Sequence, residues 1–178
     1  MHIRRIVTGN DAAGHSRFIS DAPAPRACQF QSIPGHAMAH LWSTEGAAQR
    51  EEQNNDPTAN QPSLVPGPGG TSLAIYDFPP DSIMQNPANI PAMVEELSGA
   101  LPGLFETFEH DHPGMHKTPT VDYGIVLSGE LWLEMDDGDQ KLIKPGDVVI
   151  QNGTRHAWRN KSGAIARALF VMVGTTKV

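Results

Sequence analysis

Residues 145–160 read PGDVVIQNGTRHAWRN. In this stretch a Pro-Gly-Asp turn leads into the apolar run Val148–Gln151, which predicts a short strand. A second turn follows at Gly153, and His156–Asn160 predicts another short strand. Short strands separated by turns at this spacing are typical of an antiparallel β-structure, with His156 at the start of a predicted strand.

Further strand signals crowd the same half of the chain. Turn sequences at residues 136–139 and 144–147 separate runs that alternate between apolar and polar residues or are β-branched. The predicted strands are Val121–Ser128, Glu130–Met135, Gln140–Ile143, Val148–Gln151, His156–Asn160 and Ala166–Val173. Short strands at such close spacing predict an all-β fold, namely a single antiparallel barrel or jelly roll.

The N-terminal half contains fewer and more widely spaced elements. We predict strands at residues 3–8, 16–20, 37–43 and 71–78, of which the first two form a hairpin, and one helix at about residues 91–101 with Asn89 as its N-cap. Residues 46–70 are rich in Gln, Asn, Pro and Gly, and they predict a flexible loop. These signals divide the chain into an N-terminal strand arm (1–45), the loop (46–70) and a barrel (71–178) with a helical insertion at about residues 81–115.

Composition argues against several classes of function. The 178 residues contain 20 Asp and Glu against 13 Lys and Arg, a net charge of −7, which disfavours a nucleic-acid partner. The single cysteine, Cys28, can form neither an intrachain disulfide nor a CxxC metal motif. No apolar run is long enough to cross a membrane, and the first residues lack the apolar stretch of a secretory signal. We therefore expect a cytoplasmic protein with no membrane partner.

Two motifs in the C-terminal half resemble those of the cupin superfamily, small jelly-roll barrels whose interior carries metal ligands. The segment Pro145–Asp147, an apolar strand, and the pattern G-x-x-H-x-x-x-N at residues 153–160 are similar to the second cupin motif. Two departures alter only a turn: Asn152 stands where proline is usual, and the gap between the glycines is one residue shorter. The resemblance covers about residues 72–173 and implies a single jelly-roll barrel.

The first cupin motif is matched more weakly. Residues Val126–Glu130 are similar to the strand and Gly-Glu turn of this motif, and they set the register. Counted back from that turn, Asp122 stands at the usual glutamate, Thr118 at the second histidine and His116 at the first. The resemblance thus implies a metal site of His116, Asp122 and His156, suited to Fe, Mn or Zn with open positions for water or substrate. Because Thr118 replaces an imidazole, a barrel without metal remains the alternative.

Other side chains are predicted at the same site. Tyr123 or Thr118 could supply a proton or a hydrogen bond to a substrate. Because side chains two residues apart on a strand share a face, an inward-pointing His156 predicts that Trp158 and Asn160 also point inward. Val126 is a bulky strand residue that could line the pocket. The helical insertion is expected to pack across or beside the barrel mouth. The pair His110-x-His112 has metal-like spacing, but its acidic, Pro-interrupted context favours a solvated loop.

These residues support two functions of different classes. The first is a metal-dependent enzyme that acts on a small organic molecule, as a dioxygenase, isomerase, decarboxylase or dehydratase. The second is a metal-free module that binds or senses a small molecule, which the missing second imidazole favours. Small cupins commonly pair, and the N-terminal strands need an edge to cover, so a homodimer is also expected.

Overall fold

The computed structural model describes residues 1–46, 56–85 and 88–176. The strands of the N-terminal half are β1 (Arg4–Asn10), β2 (Ser16–Pro23), β3 (Arg26–Gln29), β4 (Ala37–Thr44) and β5 (Thr71–Phe78). Those of the C-terminal half are β6 (Thr120–Ser128), β7 (Leu131–Glu134), β8 (Gln140–Ile143), β9 (Val148–Asn152), β10 (Ala157–Arg159) and β11 (Ala166–Gly174). Two helices, α1 (Asp81–Met84) and α2 (Ile90–Ala100), lie between β5 and β6. The predicted all-β class is confirmed.

The strands form two facing sheets and a separate hairpin. One sheet has six strands in the order β3-β4-β5-β11-β6-β9, the other has three in the order β10-β7-β8, and β1 pairs with β2. All neighbouring strands are antiparallel. Among the described residues the strand ladders do not close the two sheets into a continuous barrel. The arrangement is consistent with a jelly roll in which the two sheets remain distinct.

The space between the sheets is filled from both sides by alternating strand residues. On β6, Val126 faces inward and is buried with Leu131 of β7 and with two small residues of β11, Ala166 and Ala168. Because successive side chains of a strand point to opposite faces, the same alternation that buries Val126 also faces Asp122 and Gly124 inward. The inner face of β6 therefore carries both the core and the predicted polar site.

The predicted N-terminal arm of residues 1–45 contains the hairpin of β1 and β2 together with strands β3 and β4. Strand β4 pairs with β5, and β3 pairs with β4, so both strands belong to the six-stranded sheet. Among the described residues, the hairpin of β1 and β2 alone stands apart from the two sheets, and its Phe18 is 80% exposed. Residues 26–44 belong to the main sheet because β4 pairs along one edge with β5 and along the other with β3, and β4 is buried at nearly every position.

The predicted loop at residues 46–70 contains ordered structure in its described part. A 3-10 turn spans Pro57–Asn60, and Leu64 is fully buried, with its N–H donating to the carbonyl of Pro102 at 2.8 Å. The composition predicts a flexible loop because few residues carry bulk, but Leu64 anchors the described part of the segment in the core. The rest of this prediction falls on residues 47–55, which lie outside the described residues.

The predicted helix is present, one residue earlier at each end. The side chain of Asn89 caps α2 by accepting the N–H of Ala92 at 3.1 Å. Met93 and Leu97 of the helix pack against the core cluster on the inner face of the six-stranded sheet, which includes Tyr76. Within the described ranges, no helix is long and apolar enough to cross a membrane.

Candidate functional site

Two histidines lie against each other between the sheets. The backbone N–H of His116 donates to the carbonyl of His156 at 2.9 Å, and the N–H of His156 donates to the carbonyl of His116 at 3.0 Å. This reciprocal bridge brings the two imidazole rings to a centroid distance of 4.3 Å. The structure thus unites two residues that are 40 positions apart in the sequence.

Each imidazole is oriented by a backbone carbonyl. The Nδ1 atom of His116 lies 3.1 Å from the carbonyl oxygen of Gly114, and Nδ1 of His156 lies 3.0 Å from that of Thr154. A carbonyl oxygen only accepts, so both Nδ1 atoms carry the proton and both Nε2 atoms keep a free lone pair. In each case the carbonyl belongs to the residue two positions before the histidine. Backbone carbonyls are among the usual partners that fix the tautomer of a metal-binding histidine.

Burial keeps both rings neutral. It lowers the pKa of His116 to about 4, with a further contribution from the adjacent His156. Burial also lowers the pKa of His156. The hydrogen bonds to the carbonyls oppose this effect without cancelling it. At neutral pH the two side chains therefore present unprotonated nitrogen atoms, as metal binding or proton acceptance requires.

Aromatic rings surround the histidine pair. Phe108, from the segment that follows α2, lies 4.7 Å from the ring of His116. Trp158 lies edge-on to His156 at 6.4 Å and against Phe170 of β11 at 5.3 Å. The predicted inward direction of Trp158 agrees with these contacts. The insertion also reaches the site, although through Phe108 rather than through the helix itself.

Asp122 lies on the inner face of β6, where it is 7% exposed. Its cross-strand neighbours are Gln151 of β9 and Met172 of β11. Burial raises the pKa of its carboxyl group to about 6, and a hydrogen bond from the hydroxyl of Thr120 opposes that rise. Its Oδ1 atom is buried and has no hydrogen-bond partner. An orphaned carboxyl oxygen in an interior is uncommon and marks a position where a ligand group, an ion or a water is needed.

The hydroxyl of Thr118 forms its hydrogen bond with Thr120 and not with the histidine pair. That hydroxyl is buried and lies 2.7 Å from the hydroxyl of Thr120, which in turn opposes the rise in the pKa of Asp122. The residue that stands where the resemblance expects an imidazole is thus part of a separate hydroxyl–carboxyl chain.

The donor set fits a metal ion only in part. Two Nε2 atoms on adjacent imidazoles suit Fe, Mn or Zn, and their tautomers leave the lone pairs free. Among residues 1–46, 56–85 and 88–176, however, no group of three His, Cys, Asp or Glu side chains is arranged to hold a metal ion. The structure therefore brings His116 and His156 together and does not bring Asp122 into a common ligand group with them.

Two other predicted site residues lie elsewhere. Tyr123 follows Asp122 on β6, so it points to the opposite face, where it is 43% exposed. Val126 does point inward, but it is enclosed by Leu131, Ala166 and Ala168 in the core between the sheets. We therefore place neither side chain at the histidine pair.

Asn160 has a structural environment. Its side-chain amide donates to the carbonyls of Phe78 at 2.8 Å and Ala164 at 2.7 Å. Its oxygen accepts from the backbone N–H of Ser162 at 3.0 Å and from the Ser162 hydroxyl at 2.7 Å. These four bonds use the whole hydrogen-bonding capacity of the side chain, so none is left for a substrate.

Sequence reasoning missed three residues near the predicted site: Phe108, Thr120 and Gln151. Thr120 could have been found, because it lies two residues before Asp122 and shares its face. Gln151 could not have been found from the sequence, because its position beside Asp122 depends on the pairing register of β6 and β9. Phe108 gives no local signal at all, because it comes from a loop in the insertion.

Comparisons with known proteins agree with the motif analysis. A model of the cupin domain matches residues 104–172. The phomopsin biosynthesis cluster protein C' of Diaporthe leptostromiformis is 32% identical over 174 residues, which are 94% of this chain and 76% of that protein. The cupin-domain-containing oxidoreductase srdB of Neurospora crassa is 26% identical over 95% of this chain and 72% of that protein. A cupin 2 conserved barrel domain protein of Salinispora arenicola aligns over 79% of this chain and 78% of that chain, with 16% identity and a TM-score of 0.39.

Proposed function

Because this chain belongs to the cupin family, we propose that it is an enzyme that transforms a small organic molecule between its two sheets, at the pair His116 and His156. Oxidoreduction is the reaction class we favour, because the relative srdB, which aligns with nearly the whole chain, is named an oxidoreductase. The phomopsin cluster relative adds a biosynthetic context. Isomerase, decarboxylase and dehydratase reactions are alternatives at the same site that we favour less.

The observation that carries this proposal is the state of the two imidazoles. His156 is 3% exposed and His116 is partly buried, both donate Nδ1–H to a backbone carbonyl, and both present Nε2 without a hydrogen-bond partner in the described residues. A single core histidine can also bond through Nδ1 alone, as His36 does to the carbonyl of Asp77, but at this site two such imidazoles lie side by side at 4.3 Å. Two adjacent imidazoles that both present a free Nε2 lone pair form a site that can bind a metal ion or accept a proton.

The chain's own residues would bind and shield the substrate. The rings of Phe108, Trp158 and Phe170 supply flat apolar walls around the pair, and they would exclude water from a bound molecule. A divalent metal ion bound by Nε2 of His116 and His156 would supply Lewis acidity toward a substrate oxygen. Either imidazole without metal can accept a proton from the substrate at Nε2.

A metal-free binding module is the second candidate function. One observation favours it: the described residues contain no three-residue ligand group, and Thr118 contributes its hydroxyl to Thr120 rather than to the histidine pair. A protein of this kind would hold a small molecule against the same aromatic walls without transforming it.

Metal analysis of protein purified without a His-tag tests the proposal. We expect stoichiometric Fe, Mn or Zn that is lost on substitution H156A or H116A, while H110A, a change of an exposed histidine, leaves the metal content intact. Metal-free protein whose thermal unfolding does not change when these metals are added would instead favour the binding module.

We also propose that the chain forms a homodimer through the outer face of β6 and β9. Tyr123 and Ile150 are direct cross-strand partners on this face, and Val148 pairs there with Ile125. Tyr123, Val148 and Ile150 are between 43% and 59% exposed, and β9 is an edge strand of its sheet. A second copy would cover both the apolar patch and the open edge, which isolated chains rarely leave exposed.

A further inference from the structure

Three polar side chains follow one another along the inner face of the chain at the start of β6. Thr118, Thr120 and Asp122 are spaced by two residues and are 3%, 1% and 7% exposed. The hydroxyls of Thr118 and Thr120 are 2.7 Å apart, and Thr120 opposes the rise in the pKa of the Asp122 carboxyl group. We call this set the Thr-Thr-Asp chain. It is a run of three buried polar groups whose last member, Asp122, has an Oδ1 atom without a hydrogen-bond partner.

The direction of the hydrogen bonds follows from the carboxyl end. An ionised carboxylate only accepts, so the Thr120 hydroxyl that lowers the pKa of Asp122 directs its hydrogen toward the carboxyl group, and Thr118 then donates to the oxygen of Thr120. The Oδ1 atom of Asp122 has no hydrogen-bond partner. A buried acceptor of this kind costs free energy unless a ligand or a water supplies a polar hydrogen.

A metal ion does not account for the orphaned oxygen. Asp122 is not grouped with His116 and His156, and no other His, Cys, Asp or Glu completes a set of three with it in the described part of the chain. The cupin resemblance places a second metal-binding imidazole at position 118, between His116 and Asp122. This chain has Thr118 there, and its hydroxyl is hydrogen-bonded to that of Thr120.

We propose that Asp122 is a binding residue for a hydroxyl group of the small molecule, and not a metal ligand. A hydroxyl group suits this position because it can donate to a carboxylate and can also accept from a protonated carboxyl group. The inference rests on the proposed function, since it concerns the ligand of the same interior space.

The body of the ligand is indicated by what lies beside Asp122. Gly124 is the next inward residue of β6, and a Cβ atom there would lie 3.2 Å from Phe170 and 3.4 Å from Trp158. The missing side chain lets both rings pack against the strand two residues from Asp122, so this face of β6 is aromatic next to the carboxyl group. A ligand whose hydroxyl group binds Asp122 would match that surface with an aromatic or apolar body. Small phenols are the simplest molecules of this class.

The claim that Asp122 is not a metal ligand is tested by a Co²⁺ titration that is monitored through the absorption spectrum of the bound Co²⁺. We expect D122N to change the dissociation constant less than about threefold and to keep the spectrum, because the ligands are unchanged. H156A should weaken Co²⁺ binding by about tenfold or more. D111N, which removes an exposed carboxylate, is the matched control for the lost charge. Loss of Co²⁺ binding in D122N but not in D111N would overturn the inference.

The hydroxyl half is tested with phenol and toluene, which have the same shape, by ligand-observed NMR titration. We expect the protein to prefer phenol by about tenfold, and we expect D122A to remove that preference. T120V, which keeps the side-chain shape and breaks the Thr-Thr-Asp chain, should reduce the preference in part. Equal affinities of the native protein for the two probes, or no binding of phenol, would overturn the inference.

The two experiments separate the inference from the proposed function. If the native protein binds no Co²⁺, the metal-dependent form of the proposed function fails, and the phenol preference alone decides the role of Asp122. If Co²⁺ binds and D122N abolishes that binding, the role inferred for Asp122 fails while the metal-dependent enzyme stands.

Discussion

Acidification should destabilise this protein through buried neutral histidines, of which His36 is the best placed for a quantitative test. His36 is 5% exposed, its ring stacks on Phe30 at a centroid distance of 4.5 Å, and its Nδ1 donates to the carbonyl of Asp77 at 2.7 Å. Burial lowers its pKa to about 4, from an unperturbed value near 6.5. The perturbation is a shift from pH 7 to pH 5 in the native protein and in H36N.

The sign follows from proton binding. Between about pH 6.5 and pH 4 the unfolded chain binds a proton at His36 and the folded chain does not, so stability falls as the pH falls. Each pH unit in that window costs about 1.4 kcal/mol for one such group, and the loss by pH 5 is therefore about 2 kcal/mol. His40 and His116, whose pKa values are also lowered to about 4, add to the total, whereas Asp122 opposes it because its pKa is raised.

Urea unfolding at both pH values isolates the contribution of His36. Asn offers an N–H donor near the position of Nδ1, so H36N can keep the bond to Asp77. We expect the native protein to lose about 2 kcal/mol more than H36N between pH 7 and pH 5. H110N is the control, because His110 is exposed and its substitution buries nothing. Equal losses in the native protein and H36N would show that His36 can be protonated without unfolding, which would refute the reasoning.

Three other perturbations have definite outcomes. N160A should lower the free energy of unfolding by about 2–4 kcal/mol in urea titrations, because the carbonyls of Phe78 and Ala164 lose their buried donor; a loss below about 0.5 kcal/mol would contradict this. G174A should destabilise by about 2 kcal/mol or more, since a Cβ would lie 1.9 Å from the carbonyl oxygen of Gly67, whereas G99A, in an open part of α2, should stabilise by about 0.5–1 kcal/mol. The substitution I150K should convert the proposed dimer to a monomer in sedimentation equilibrium, and V94K, on the exposed side of α2, should not; an unchanged mass of I150K would exclude the outer face of β6 and β9 as the interface.

Much of the fold was accessible from local patterns. Each predicted strand overlaps an observed one, and the helix differs by one residue at each end. These signals are local, because alternation, turn residues and the Asn89 cap act over a few positions. The pairing partners of the N-terminal strands are not local information. Whether β3 and β4 join the main sheet depends on which strand lies beside β5, and no local pattern determines that choice.

By itself, the sequence determined the all-β class, the cupin motifs and the histidines His116 and His156, because their spacing from Gly-containing turns specifies where each side chain enters a strand. The tertiary structure alone decided which polar groups meet. Strand pairing brought the two imidazoles to 4.3 Å and set Gln151 beside Asp122, while it left Asp122 outside any common ligand group. Distances between strands depend on register, twist and packing across the whole sheet, and side chains of the right type at the right spacing do not define them.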